Sequence, residues 1–229
     1  MPGHVLAIGG LSPDHDDTAL HRFVIELSGV RRPRVCFVPT ASGDHDGFIE
    51  KFYELYPTSI CEPSHLTLVR SVPSDPVEMI LDQDVIYVGG GSTPILLAAL
   101  RVHGLDHALR ARWEAGALLC GDSAGSLVWF TGGVTDALGP ELRPMADGLR
   151  FLPGSNCPHF DHPGRQEAFE AAIRAGDLDA GTAADDGAAL LWEGTTLVEA
   201  VSSRPTGSGH RVTREGADVD CTPIPTRRL

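Results

Sequence analysis

Residues 117–125 read Ala117-Leu118-Leu119-Cys120-Gly121-Asp122-Ser123-Ala124-Gly125, a short apolar run ending in Gly-x-Ser-x-Gly. An apolar run of that length reads as a buried strand. A helix is expected after it, because Leu127, Val128, Trp129 and Phe130 continue the apolar pattern. A serine on a sharp strand-to-helix turn takes strained backbone angles, and side chains on the flanking glycines would clash. The turn lifts the hydroxyl to the top of a sheet, near backbone N–H groups that can stabilise negative charge. In the plainer alternative, Ser123 only caps the helix.

Working outward, strands and helices alternate. Val5–Ile8, Arg34–Val38, His65–Val69 and Asp84–Val88 read as strands. Asp16–Ser28, Phe48–Leu55, Pro76–Leu81, Pro94–Val102 and Leu105–Glu114 read as helices. This alternation predicts an α/β fold with a doubly wound, mostly parallel sheet flanked by helices. After Phe130 the pattern changes. Thr131–Pro158 is rich in Gly and Pro and reads as hairpin and loop, and Gly164–Ala175 reads as a helix. Ala188–Trp192 and Thr196–Val201 read as antiparallel strands joined at Glu193-Gly194. Residues 204–229 form a polar, partly flexible tail with at most a weak hairpin over Val212–Val219, frayed from Thr222. The 229 residues are expected to form a single domain.

Composition limits the function classes. The chain is 42% hydrophobic and 21% charged, as ordinary globular proteins are. Its formal net charge of −13 argues against nucleic acid and anionic membrane surfaces as partners. The five cysteines are scattered without C-x-x-C spacing, so neither a disulfide framework nor a zinc site is expected. The opening MPGHVLAIGG lacks a charged region followed by a long apolar segment, and no apolar run reaches the length of a bilayer span. A reducing cytoplasm is the expected compartment.

A nucleophilic serine needs a base, and the base an orienting acid. Of ten histidines, His4, His15, His21, His45, His65, His103, His107 and His210 have no motif around them. His159 and His162 differ: they sit in Asn156-Cys157-Pro158-His159-Phe160-Asp161-His162-Pro163-Gly164, a rigid loop before a helix. A second glycine stretch, Gly89-Gly90-Gly91-Ser92-Thr93, also lies between a strand and a helix. It lacks the lysine of a P-loop and does not fit G-x-G-x-x-G, so an oxyanion hole beside Ser123 is the economical reading. Cys120 belongs in the strand, not at its tip, and reads as a small buried hydrophobe.

Three motifs in order, YVGGGST, CGDSAG and NCPHF, resemble the peptidase E (aspartyl dipeptidase) family. Cyanophycinase is related to that family, and the fold is similar to class I glutamine amidotransferases. The resemblance runs from the first strand to about Val201. It implies Ser123 as nucleophile, His159 as base, and an oxyanion hole from the N–H groups of Gly90 or Gly91 and Ala124. It also places a carboxylate before a glycine in a late turn, which Asp186 in Ala184-Asp185-Asp186-Gly187 matches. Asp185 is its neighbour, and Asp136 lies near another acidic position assigned to the family's triad. Arg165 lies where the family carries an arginine for the substrate's aspartate carboxylate, and Ala168 stands where a second would be sought. Ser92, where the family's glycine loop usually has Asn, is a further substrate-binding candidate.

The expected activity is a serine peptidase hydrolysing short peptides, dipeptidase-like with Asp-X peptides as candidate substrates, through a Ser-His-Asp triad and an acyl-enzyme. Neither cofactor nor metal is expected, and the chain should be a monomer or homodimer. The alternatives are an α/β-hydrolase-type esterase and a non-catalytic amidotransferase-like binding module. The esterase order, with histidine last, fits poorly.

Overall fold

Strand side chains alternate between faces, and here both faces are apolar. The computed structural model, which describes residues 3–12 and 14–229, shows where each face goes. In chain order the elements are β1 (His4–Ile8), α1 (Thr18–Leu27), β2 (Arg34–Val38), α2 (Asp46–Leu55), β3 (Glu62–His65), α3 (Pro76–Leu81) and β4 (Val85–Val88). Next come α4 (Thr93–Val102), α5 (Leu105–Glu114), β5 (Leu118–Asp122), α6 (Ala124–Leu127), β6 (Gly132–Thr135), β7 (Arg143–Met145) and β8 (Ser155–Pro158). Then α7 (Arg165–Ala175), β9 (Gly181–Ala184), β10 (Ala188–Glu193), β11 (Thr196–Ser202), β12 (Gly209–Glu215), β13 (Asp218–Ile224) and β14 (Thr226–Arg228) complete the chain.

One sheet has eight strands in the order β14-β11-β10-β1-β5-β4-β2-β3, and its β1-β5-β4-β2-β3 part is parallel. The antiparallel β10 and β11 extend it beyond β1. Val5, Ala7, Cys36, Val38, Ile86, Val88 and Leu119 pack on one face with α4 and α5. Leu6, Ile8, Val35, Phe37, Val85, Tyr87, Leu118 and Cys120 pack on the other with α1 and α2. Two buried faces per strand explain the unbroken apolar runs. Cys120 is fully buried in the second of these layers, and burial holds its thiol well above its ordinary range.

A second sheet of six strands, β13-β12-β9-β8-β6-β7, packs with α7 around Phe160, Phe169 and Ile173. It gathers the Gly/Pro-rich stretch and the C-terminal segment into one layer.

Three local expectations change. The third strand is β3 at Glu62–His65, paired from Arg34↔Glu62 to Phe37↔His65, and not His65–Val69. The buried Asp44 is the reason: one of its carboxylate oxygens accepts the N–H groups of Leu68, Val69 and Arg70, which curls the chain. The helix after Ser123 stops at Leu127. Beyond it, the carbonyls of Val128, Trp129 and Phe130 accept N–H groups from Leu149 to Leu152, which draws the chain out of the helix. Finally, the segment read as frayed from Thr222 carries β13 and β14, the latter parallel to β11 at Ala200↔Thr226.

Candidate active site

The parallel strands bring their C-terminal ends together, and there the glycines of the 121–125 motif meet their neighbours. A Cβ on Gly125 would overlap the Val88 carbonyl oxygen, and one on Gly121 would collide with the Val88 and Gly125 carbonyls. Ser123 between them holds φ 53° and ψ −114°, a region that L-residues occupy only when their surroundings impose it. Its carbonyl accepts the N–H groups of Ser126 and Leu127.

The glycine loop lies beside this turn. A Cβ on Gly90 would sit 3.2 Å from the Ser123 Cβ and 2.8 Å from Asp122 Oδ2, so a side chain there would push on both residues. Gly91 has φ 136°. Ala124 is buried at the start of α6. Ser92 is the N-cap of α4 without a capping hydrogen bond from its side chain.

His159 also has positive φ, 54°. Its Nδ1 lies 2.6 Å from Asp186 Oδ1. The other oxygen of Asp186 is 3.1 Å from His162 Nε2, and the Asp186 N–H donates to Asp161 Oδ1 at 2.9 Å. Burial would raise the Asp186 carboxyl. The hydrogen bonds and charges of His159 and His162 outweigh it and hold the group at about 2. Among the described residues no hydrogen bond joins the Ser123 hydroxyl to the His159 ring; both belong to the same strand-end cluster through their backbones.

That cluster has an organiser the sequence reading passed over. The Ser123 N–H donates to the Ile8 carbonyl at 3.2 Å, the His159 N–H to Gly9 at 3.1 Å, and the Gly187 N–H to Gly10 at 2.8 Å. Gly10 and Asp186 also form an isolated parallel bridge. Three successive carbonyls at the end of β1 therefore hold the three segments that carry Ser123, His159 and Asp186. The only sequence signal is the Gly9-Gly10 pair. A Cβ on Gly10 would overlap both Asp186 Oδ1 and the His159 ring.

The remaining candidates fall elsewhere. Asp185 turns away from His159: one oxygen lies 3.1 Å from His210 Nε2 and the other accepts the Ser208 N–H. Asp136 is exposed and accepts from Arg165 Nη2 at 2.9 Å, so the structure joins these two candidates to each other. His21 is buried, 3.1 Å from the Tyr56 hydroxyl, and burial lowers it to about 4, which keeps it neutral.

Behind Asp186, Arg204 grips the buried Asp17 with two hydrogen bonds of 3.1 and 2.6 Å, and its Nη1 is 3.9 Å from Asp186 Oδ2. Ser202 and Ser203 both donate to the Gly187 carbonyl. This clamp fixes the turn on which Asp186 sits, and the polar composition of the tail gave no sign of it.

Asp122 precedes the serine and accepts from the Tyr87 hydroxyl at 3.1 Å. Removal from water pushes its carboxyl up to about 6. Between the unfolded and folded values, the native state binds the extra proton. Stability from this group is therefore greatest at low pH and falls as pH rises through about 6. Asp122→Asn, which keeps an acceptor for Tyr87, should stabilise the fold by about 2–3 kcal/mol at pH 8 and by little at pH 4. Chemical denaturation at both pH values checks this, and equal effects at the two would refute it.

His159, His162 and Asp186 are also the described residues able to hold a metal, with one ligand atom from each within 4.8 Å of the others.

The family model "Peptidase family S51" matches residues 5–200. The Uncharacterized peptidase YgaJ of Bacillus subtilis (strain 168) is 41% identical over 222 residues, covering 96% of each chain. In fold, the chain is similar to the crystal structure of a peptidase from an acI-B1 Actinobacterium. The TM-score is 0.68 at 20% identity, over 97% of this chain and 94% of that one. It is also similar to a candidate peptidase E from Listeria monocytogenes EGD-e, with TM-score 0.63 at 17% identity, over 86% and 96% of the two chains. With a family model spanning most of its length and a relative this similar from end to end, the chain belongs to peptidase family S51.

Proposed function

We propose that the protein is a serine peptidase that hydrolyses short peptides through Ser123, His159 and Asp186. The observation that carries this reading is the 2.6 Å contact between His159 Nδ1 and Asp186, a carboxylate held ionised. A carboxylate on Nδ1 fixes the tautomer and leaves Nε2 free to take a proton. Ser123 Oγ attacks the scissile carbonyl, and its proton passes to His159 Nε2. The tetrahedral oxyanion is held by N–H groups from Gly90 or Gly91 and from Ala124. Collapse breaks the C–N bond, the leaving amine takes the proton from His159, and an ester on Ser123 remains. Water, activated by the same imidazole, releases the acid.

Arg165 is the proposed anchor for an N-terminal aspartate side chain, with Asp136 holding its guanidinium until the substrate carboxylate replaces it. With its five cysteines unpaired, the enzyme is suited to the reducing cytoplasm.

A dipeptide library varied at the first residue, run beside simple esters, tests this reading. Asp-X peptides should be cleaved fastest, and a fluorophosphonate probe should label Ser123. Absence of peptide cleavage, or of the label, would sink it.

The hub at the end of β1 gives a second test. Gly10→Ala inserts a methyl group between Asp186 and the His159 ring. Misplacement of about 1 Å is enough for a 100-fold loss, so kcat/KM should fall by at least about that factor. The downfield imidazole proton resonance should disappear while the fold persists. An unperturbed rate would show that the 2.6 Å pair is dispensable.

A further inference from the structure

We propose that His159, His162 and Asp186 bind a single divalent transition-metal ion of the Zn2+ type, and that its binding switches the peptidase off. The switching rests on the catalytic reading above; the binding does not.

The peptidase step uses His159 and one oxygen of Asp186, and it leaves His162 without a task. Yet His162 is not randomly placed. Its Nε2 lies 3.1 Å from the second Asp186 oxygen, and its ring lies 4.9 Å between centroids from the His159 ring, tilted 37° to it. The backbone holds this pair together: the His162 N–H donates to the His159 carbonyl at 2.9 Å, and the Arg165 N–H donates to the His162 carbonyl. Two imidazoles and a carboxylate, with solvent on one side, match the three-ligand, one-open-position pattern of accessible zinc sites. Nitrogen ligands favour Zn2+, Cu2+ or Ni2+ over Mg2+ and Ca2+, which prefer all-oxygen shells.

The ligand atoms lie within 4.8 Å of one another. Bonds of about 2.0–2.2 Å to a shared ion bring such atoms to roughly 3.5 Å. The 2.6 Å contact between His159 Nδ1 and Asp186 Oδ1 opens to admit the ion, and the His162 side chain, 50% exposed against 9% for Asp186, swings to meet it. Coordination needs neutral imidazoles with a bare ligand nitrogen, so the proton on His159 Nδ1 moves to Nε2 when the ion takes Nδ1, and affinity weakens as pH falls. An imidazole holding a metal cannot accept the Ser123 proton, which is why occupancy and turnover exclude each other.

The test uses the full chain freed of metal by a chelator. Co2+ is titrated in and followed by its visible absorption, and Zn2+ is then added as competitor. Hydrolysis is measured at the same Zn2+ concentrations, each variant referred to its own metal-free rate. One Co2+ per chain should bind, Zn2+ should displace it, and hydrolysis should fall in step with occupancy. His162→Gln, which can still hydrogen-bond Asp186, should weaken binding at least tenfold and raise the inhibitory Zn2+ concentration by the same factor. Lack of binding, or binding and inhibition unmoved by His162→Gln, would overturn the proposal. If the wild-type chain cleaves no peptide, the catalytic reading fails, while the cobalt titration still decides whether the site exists.

Discussion

Ser123→Ala is expected to lower kcat on the best peptide substrate by about 10⁶-fold, as loss of a serine nucleophile does where serine, histidine and acid act as a unit. The fold should survive. Ser123 is partly exposed, its backbone rather than its side chain ties it to Ile8, and alanine inherits the same positive φ. The melting temperature should therefore move by only about a degree or two. Cys120→Ser is the matching control. That thiol is buried among apolar side chains on the α1–α2 face, so the change should cost stability and leave the nucleophile in place. Wild-type hydrolysis by the Ser123→Ala protein would end the serine mechanism and return attention to other groups at the strand ends.

Asp186→Asn should be the next largest loss, about 10⁴-fold in kcat, because an amide in place of the carboxylate supports the wrong imidazole tautomer. The defect should appear mainly in kcat, with KM changing little. The same carboxylate has a signature in stability. Its folded value is depressed to about 2, so the stability it contributes is present above the ordinary carboxylate range and lost as pH falls from about 4 to 2. The variant should lack that piece of the acid transition. If Asp136→Asn impaired kcat as severely while Asp186→Asn did not, the acid would be misassigned. The pairing of Asp136 with Arg165 argues the other way.

What could be read from the sequence was what short-range sterics and period-two alternation control. The turn at Gly121–Gly125 is such a case, because a Cβ on Gly121 would collide with the Gly125 carbonyl four residues on. Asp185 facing away from Asp186, toward His210, follows from alternation in extended backbone before a tight turn, whereas the pairing of Asp186 with His159 is what the resemblance to peptidase E implies. What escaped was set at long range. Asp44 bends the chain at 68–70 from 24 or more residues away, and no pattern within His65–Val69 announces it. The backbone at 128–130 leaves the helix for partners at 149–152, despite an apolar run that reads as helical. The carbonyls of Ile8, Gly9 and Gly10 organise the site with no side-chain chemistry at all. Arg204 reads as part of a solvated tail because its partner Asp17 lies far away in the chain.

The Arg204–Asp17 clamp and the β1 hub have a consequence for biosynthesis. The groups proposed for catalysis converge only when residues 8–10 near the beginning meet 123, 159 and 186, and the turn at 186–187 is fastened by residues 202–204. Contacts of such sequence separation form late, since closing long loops must precede any gain from the contacts themselves. A nascent chain still short of Asp186 has its serine and histidine but no acid beside the imidazole, and one short of Arg204 has an acid on an unfastened turn. On the proposed mechanism, a nascent chain is therefore inert until residues 202–204 have been made and have fastened the turn at Asp186.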